Sequence, residues 1–151
     1  MFSSTCRFHI DENATLVYGE VLTPGRKMCG EIFQFKRFRN LTEIFMDDRL
    51  VYRENIFITP QEQQLNALGL LEGFTHQASW LLIDKNITEG IIDKVFDYLE
   101  SQVNITFGLT AIQVPGFVVR ILGNSAEELY DCLKHITCLA GINKKEVVYA
   151  G

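Results

Sequence analysis

Residues 16–35 read LVYGEVLTPGRKMCGEIFQF and carry the strongest turn signal of the chain. This stretch contains two apolar runs separated by Pro24 and Gly25. Proline presets φ for the second position of a tight turn, and glycine accepts the positive φ of a type II turn. The stretch is therefore predicted to form two β-strands that turn back beside each other.

Each of these two runs carries a glutamate. Glu20 lies in the middle of the first run and Glu31 opens the second. A carboxylate inside an apolar strand loses its hydration, which is costly unless the group is paired, hydrogen-bonded or bound to a cation. Two interpretations stay open at this point: an edge strand that leaves Glu20 in water, or neighbouring strands whose carboxylates act together.

The composition is that of an ordinary soluble globular chain. Its 151 residues are 47% hydrophobic and 22% charged, which suits one core and about one domain. The net charge is −5 and no long Lys/Arg block occurs, so nucleic acid is a poor partner. Neither a basic region followed by an apolar stretch nor a bilayer-length apolar run is present. A cytoplasmic location without a membrane partner is expected.

The cysteines predict neither a disulfide framework nor a metal centre. Cys6, Cys29, Cys132 and Cys138 lack CxxC spacing, so reduced thiols are expected. Cys132 and Cys138 flank His135 at a spacing that suggests zinc, but at about 100° per residue one helix does not converge all three. The sequence contains no nucleophile elbow, P-loop or HExxH motif, so no motif indicates a hydrolase or an oxidoreductase.

Apolar periodicity predicts β structure in the first sixty residues. The expected strands are 6–10, 16–22, 32–38, 41–46 and 50–58. The last two are predicted to form a hairpin, with Glu54 in its second arm. Residues 61–79 are less periodic and are expected to be loop, with His76 on the surface.

The pattern changes after residue 79. The expected elements are a strand at 80–83, a helix near 87–101, strands at 105–114 and 117–122, and a helix near 125–139. Asn86 with Glu89, and Ser125 with Glu128, are predicted to open the two helices. Both helices carry apolar stripes and are expected to pack on one side of a sheet. Arg120 is expected to point outward from a one-sided sheet.

Four segments, in order, resemble a known family. They are LTPGR at 22–26, GEIFQF at 30–35, LVYRENI at 50–56 and GFVVRILG at 116–123, the last followed by a short final helix. Together with their spacing, they resemble the UreD family, also called UreH, of urease accessory proteins.

The resemblance implies an α+β, β-rich fold, with stacked antiparallel, β-helix-like sheets and two helices in the C-terminal half. Members of the family are about twice as long as this chain. Residues 1–151 are therefore expected to form a single domain that corresponds to the C-terminal portion of a UreD-like protein, with the N-terminal half absent.

The resemblance also implies a function, which is not enzymatic. It implies a metallochaperone scaffold, required for nickel insertion and for maturation of the urease active centre. The implied partners are UreF, the GTPase UreG and the apo-urease subunits. No tightly bound cofactor is implied, only transient Ni²⁺.

Three residues match acidic positions of the family: Glu20, Glu54 and Glu31. They are expected to line a transient path for nickel, because weak carboxylate and water coordination lets a cation move on. The alternative is a small enzyme of unknown class that uses Glu20 and Glu31 as an acid–base pair. That alternative requires a pocket with a raised carboxyl pKa and an orienting group beside the pair.

Overall fold

In a computed structural model of the chain, the structure describes residues 2–22, 38–58, 74–142 and 148–150. These residues contain the following elements, in chain order: β1 (Phe2–Ile10), β2 (Leu16–Leu22), β3 (Phe38–Met46), β4 (Arg49–Ile58), β5 (His76–Ile83), α1 (Glu89–Ser101), β6 (Thr106–Ala111), β7 (Gly116–Gly123), α2 (Ala126–Leu139) and β8 (Val148–Ala150). The predicted α+β, β-rich class with two helices is confirmed.

The strands form two sheets. The smaller sheet has the order β1-β3-β4, in which β1 and β3 are parallel and β3 and β4 form an antiparallel hairpin. The larger sheet has the order β6-β7-β5-β2-β8 and is antiparallel except where β2 pairs with β8. The predicted hairpin is confirmed. Asp47 and Asp48 make its turn with positive φ at both positions, as a type I′ turn requires.

The larger sheet lies between the helices and the smaller sheet. On one face, α1 and α2 pack over a core that includes Trp80, Phe117 and Leu133. On the other face, a second apolar cluster, which includes Ile44 and Leu81, joins the two sheets. Successive residues of a strand point to opposite faces, so β5 and β7 supply both clusters. The prediction that both helices pack on one side of a sheet is confirmed.

One of the two predicted helix caps is confirmed. Ser125 caps α2, and its hydroxyl accepts a hydrogen bond from the backbone N–H of Glu128 at 3.3 Å. The cap predicted for α1 is wrong. Thr88 is its N-cap. Asn86 lies two residues before the cap, and its backbone N–H donates to the carboxylate of Asp84 at 2.9 Å.

The prediction of a loop through residue 79 is wrong for residues 76–79. β5 begins at His76, and it pairs with both β2 and β7 along its whole length. His76 is 0% exposed rather than on the surface. Its ring Nδ1 lies 2.7 Å from the hydroxyl oxygen of Thr75.

Some predicted features lie outside the described residues. They are the turn at Pro24 and Gly25, most of the strand at 32–38, and Glu31. Within the ranges that the structure describes, neither helix has the length and apolar character needed to cross a membrane.

Candidate functional site

A polar row crosses the larger sheet on the face that meets the smaller sheet. The strand register pairs Glu20 with Ser79 and Ser79 with Arg120, so the three residues lie side by side across β2, β5 and β7. Leu81 and Val118, two residues along from this row, belong to the apolar contact between the sheets. The row is therefore a polar band in an otherwise largely apolar interface.

A second polar row crosses the smaller sheet. The register pairs Cys6 with Thr42 and Thr42 with Glu54, across β1, β3 and β4. Contacts between the sheets join the two rows at Glu54. The Ser79 hydroxyl lies 3.4 Å from Glu54 Oε1, and Arg120 Nη2 lies 2.5 Å from Glu54 Oε2. The fold therefore brings polar groups from six strands to one place.

Each glutamate accepts a hydrogen bond from the tyrosine two residues before it. Tyr18 donates to Glu20 Oε2 at 2.7 Å, and Tyr52 donates to Glu54 Oε2 at 2.8 Å. Residues two apart share a face of a strand, so a Tyr-x-Glu sequence places hydroxyl and carboxylate together. We refer to the following residues as the polar layer: Cys6, Tyr18, Glu20, Thr42, Tyr52, Glu54, Ser79 and Arg120.

Both tyrosines of the polar layer are held in their protonated form. Burial raises the pKa of Tyr18 and of Tyr52 far above the ordinary 10.0, and the hydrogen bond and negative charge of each neighbouring glutamate raise it further. Arg120 lowers the pKa of Tyr52, but by less. Each hydroxyl therefore stays available as a hydrogen-bond donor to its glutamate.

The ion pair between Arg120 and Glu54 has one buried end and one half-exposed end. The Glu54 side chain is 9% exposed and the Arg120 side chain is 51% exposed. Arg120 is exposed, as predicted, but the prediction that its sheet is one-sided is wrong. The smaller sheet covers that face of the larger sheet and supplies the carboxylate that Arg120 binds.

Glu20 and Glu54 line one small cavity between the sheets. Its volume is about 10 Å³, roughly the space of a single water molecule. Among the described residues, no three His, Cys, Asp or Glu side chains are placed to hold a metal ion together. Two carboxylates from facing sheets, with neutral hydroxyls beside them, suit weak and reversible contact with a divalent cation.

The structure brings together two of the three glutamates that the sequence singled out. Glu20 and Glu54 meet in the polar layer, whereas Glu31 lies outside the described residues. Sequence reasoning missed Tyr18 and Tyr52. A signal for them was present, because both predicted strands contain Tyr-x-Glu at the period of two that places residues on one face.

The structure does not assemble a zinc site on α2. Cys132 is buried and Cys138 is exposed, so the two thiols do not face a common point. The ring of His135 stacks on Tyr98 with 4.0 Å between ring centroids. Burial raises the pKa of the Cys132 thiol, which disfavours the thiolate that zinc requires.

Comparison with known proteins places this chain in a family. The family model described as UreD urease accessory protein matches residues 1–147. The urease accessory protein UreD of Flavobacterium johnsoniae is 40% identical over 131 residues, which cover 85% of this chain and 47% of the relative. The UreD of Acetivibrio thermocellus is 39% identical over 135 residues, which cover 89% of this chain and 52% of the relative.

A third relative, the UreD of Streptococcus salivarius, is 34% identical over 136 residues, which cover 87% of this chain and 49% of the relative. The chain thus spans about half the length of the curated relatives it matches. These relatives are accessory proteins and not enzymes, so the acid–base enzyme alternative is not supported. The chain belongs to the UreD family of urease accessory proteins.

Proposed function

We propose that this chain acts in the maturation of urease, as a non-enzymatic scaffold past which nickel moves towards the apo-urease centre. The observation that carries the proposal is the meeting of Glu20 and Glu54, from two facing sheets, at one cavity in a chain of the UreD family. Nickel is the cargo of this scaffold and not a resident cofactor.

The donor groups of the polar layer favour passage of a cation over its retention. Nitrogen and thiolate ligands hold Ni²⁺ firmly, whereas carboxylate and hydroxyl oxygens hold it weakly. Glu20 and Glu54 supply two negative charges, and Tyr18 and Tyr52 hold them in place without adding a charge of their own. A divalent ion therefore meets carboxylate oxygens here, but the described residues do not enclose it in a full ligand set.

The size of the cavity sets a condition on passage. About 10 Å³ does not admit a hydrated divalent ion, so the ion loses water ligands or the two sheets move apart. Removing water from an ion is costly, and nearby carboxylates offset part of that cost. This requirement explains why a nickel path needs acidic side chains at its narrow point.

The proposed partners are UreF, UreG and apo-urease. This part of the proposal rests on membership of the UreD family. The proposed location is the cytoplasm. It agrees with free thiols at Cys6, Cys132 and Cys138, because cytoplasmic cysteines stay reduced.

The test is to co-express the chain with urease subunits, UreF and UreG, in a host without its own UreD. Glu20→Gln and Glu54→Gln should each lower the nickel content of purified urease by about tenfold, because each removes a charge that offsets dehydration of the ion. Pull-down of the accessory complex should be unchanged. Nickel content is measured by elemental mass spectrometry.

Glu43→Gln is the matched control for this experiment. Glu43 is as sheltered as Glu54, with its side chain 12% exposed, and it also binds an arginine, Arg7, at 2.8 Å. It lies next to Thr42 on β3 and so on the opposite face of the smaller sheet. Normal nickel loading with both Glu20 and Glu54 replaced contradicts the nickel path, and loss of the complex assigns the two glutamates a structural role.

A further inference from the structure

We propose that Arg120 is a built-in counter-ion that a divalent cation must displace from Glu54 before it can pass the polar layer. Arg120 then determines when the layer accepts a cation. This inference rests on the proposed function, because it concerns the same pair of carboxylates. It is argued from the contacts of Glu54, the charge of the layer and the space beside Arg120.

The oxygens of Glu54 are occupied by side chains of the protein. Oε2 is contacted by Arg120 at 2.5 Å and accepts a hydrogen bond from Tyr52 at 2.8 Å, while Oε1 faces the Ser79 hydroxyl at 3.4 Å. A cation that binds this carboxylate replaces at least one of these groups. Arg120 is the only charged group of the three, so it is the one a cation competes with directly.

The positive charge of Arg120 is the main barrier to a cation that approaches Glu54. Arg120 carries a guanidinium, so it cancels the charge of Glu54 while the two are in contact. A divalent ion that approaches the intact pair is repelled by Arg120, and Glu54 offers it little net attraction. When Arg120 withdraws, the full negative charge of Glu54 faces the ion.

Arg120 has room to withdraw. It borders an open groove of about 350 Å³, which is also lined by Tyr52, Gly108 and Thr110. Gly108 is the register partner of Arg120 on the neighbouring edge strand β6, and no atom lies within 4 Å of the position that a β-carbon would take there. The guanidinium can therefore turn towards β6 and solvent without displacing the backbone.

A second ion pair in the smaller sheet provides an internal comparison. Arg53 contacts Glu43 at 3.8 Å and its side chain is 53% exposed, nearly the same exposure as that of Arg120. The Glu43 pair lies on the face of the smaller sheet that points away from the polar layer. A cation that enters the polar layer should therefore release Arg120 and leave Arg53 unaffected.

The first experiment uses the unaltered 151-residue chain and an arginine-selective reagent, phenylglyoxal, with and without Ni²⁺. Peptide mass spectrometry gives the modification rate at each arginine, and equilibrium dialysis gives the bound nickel. Saturating Ni²⁺ should raise the rate at Arg120 by about threefold and by no more than about fivefold, because an ion pair of this exposure holds the guanidinium only weakly. The rate at Arg53 should not change. An unchanged or lower rate at Arg120, with nickel bound, overturns the proposal.

The second experiment measures nickel affinity in variants. Arg120→Gln should bind Ni²⁺ about fivefold more tightly, and Arg53→Gln should bind it as the unaltered chain does. In a Glu54→Gln background, Arg120→Gln should give no gain. Where circular dichroism shows that Arg120→Gln does not fold, the reagent experiment on the unaltered chain decides.

The two proposals fail in different ways. Nickel binding that is unchanged by Glu20→Gln and Glu54→Gln, or absent from every variant, contradicts the nickel path and the displacement of Arg120 together. Binding that these variants weaken, but that Arg120→Gln does not tighten and that does not expose Arg120 to the reagent, contradicts only the displacement.

Discussion

Tyr18 and Tyr52 orient the carboxylates of Glu20 and Glu54 through hydrogen bonds. Each is a neutral donor, so it orients a carboxylate without cancelling its charge, whereas Arg120 orients Glu54 and cancels its charge at once. Glu20 and Glu54 are thus held by the same kind of tyrosine contact. Of the groups that contact Glu54, Arg120 alone is charged, which is why the structure points to Arg120, rather than to Tyr52, as the group that controls entry of a cation.

Replacing Tyr52 by Phe should make the protein less sensitive to alkaline pH. The folded-state pKa of Tyr52 is raised by burial and by Glu54 above the ordinary 10.0. Above about pH 10 the folded state therefore binds more protons than the unfolded state, so the free energy of unfolding falls as pH rises. Below that pH the hydroxyl is protonated in both states and contributes no slope. One proton contributes at most about 1.4 kcal/mol per pH unit, and partial exposure of the ring reduces that figure.

Urea denaturation between about pH 8 and pH 11 measures this slope. The slope of the unaltered protein above pH 10 should be steeper than that of Tyr52→Phe. Glu54→Gln should lie between them, since it removes the negative charge near Tyr52 but leaves the ring buried. Equal slopes for all three proteins contradict the assigned protonation of Tyr52.

At the scale of elements, the start of β7 depends on a close approach of two strands. Gly116 pairs with Ile83 at the end of β5, and a β-carbon at position 116 would collide with the backbone carbonyl oxygen of Leu82. Gly116→Ala should therefore lower the free energy of unfolding by about 1–3 kcal/mol, the usual cost of overpacking. Thermal or urea denaturation measures the change.

Gly108→Ala on β6 is the matched control for Gly116→Ala. Its new methyl group meets no atom within 4 Å, and alanine loses less backbone entropy than glycine on folding. This substitution should leave stability unchanged or raise it by up to about 1 kcal/mol. Equal destabilisation by the two substitutions would show that strand glycines matter here for a reason other than close contact.

The sequence predicted the elements whose two faces differ. The β3–β4 hairpin and both helices carry a regular alternation or stripe, because one side is buried and the other is not. β2 is covered on both faces and was visible instead as an apolar run. β5 was missed at its start. The missed residues 76–79 alternate in burial, but three of the four, His76, Gln77 and Ser79, are polar. The apolar pattern that marks residues 80–83 therefore does not extend back to the start of the strand.

The candidate site was predictable in part. A glutamate within an apolar strand is visible in sequence, and that singled out Glu20, while family position added Glu54. Sequence alone could not show that β2 and β4 belong to different sheets, or that the two sheets meet face to face. Arg120 reaches Glu54 only because of that arrangement, and no local pattern encodes a contact between residues so far apart in the chain.

Among the residues that the structure describes, the polar layer lies along the smaller of two apolar contacts in the molecule. The helix side of the larger sheet has an extensive apolar core, whereas fewer buried residues of the described ranges, centred on Ile44, Leu81 and Val118, join the smaller sheet to it. Burial of apolar surface is the main source of attraction between layers. The smaller sheet should therefore separate from the rest of the molecule before the larger sheet unfolds, and that separation would widen a cavity too small for a hydrated ion.

Native-state hydrogen exchange tests this order of opening through two core substitutions. Ile44→Ala and Leu133→Ala each remove a fully buried side chain and should each cost about 2–5 kcal/mol. We call the state in which the smaller sheet has separated and unfolded, while the larger sheet and the helices stay folded, the partly open form. Ile44→Ala destabilises the native state but not the partly open form, so it should speed exchange in both sheets. Leu133→Ala destabilises the native and partly open forms equally. It should speed exchange in β5 and β7, which open only on global unfolding, and leave exchange in β3 and β4 unchanged. Faster exchange in β3 and β4 after Leu133→Ala would mean that the sheets unfold as one unit and that the polar layer opens only with the whole fold.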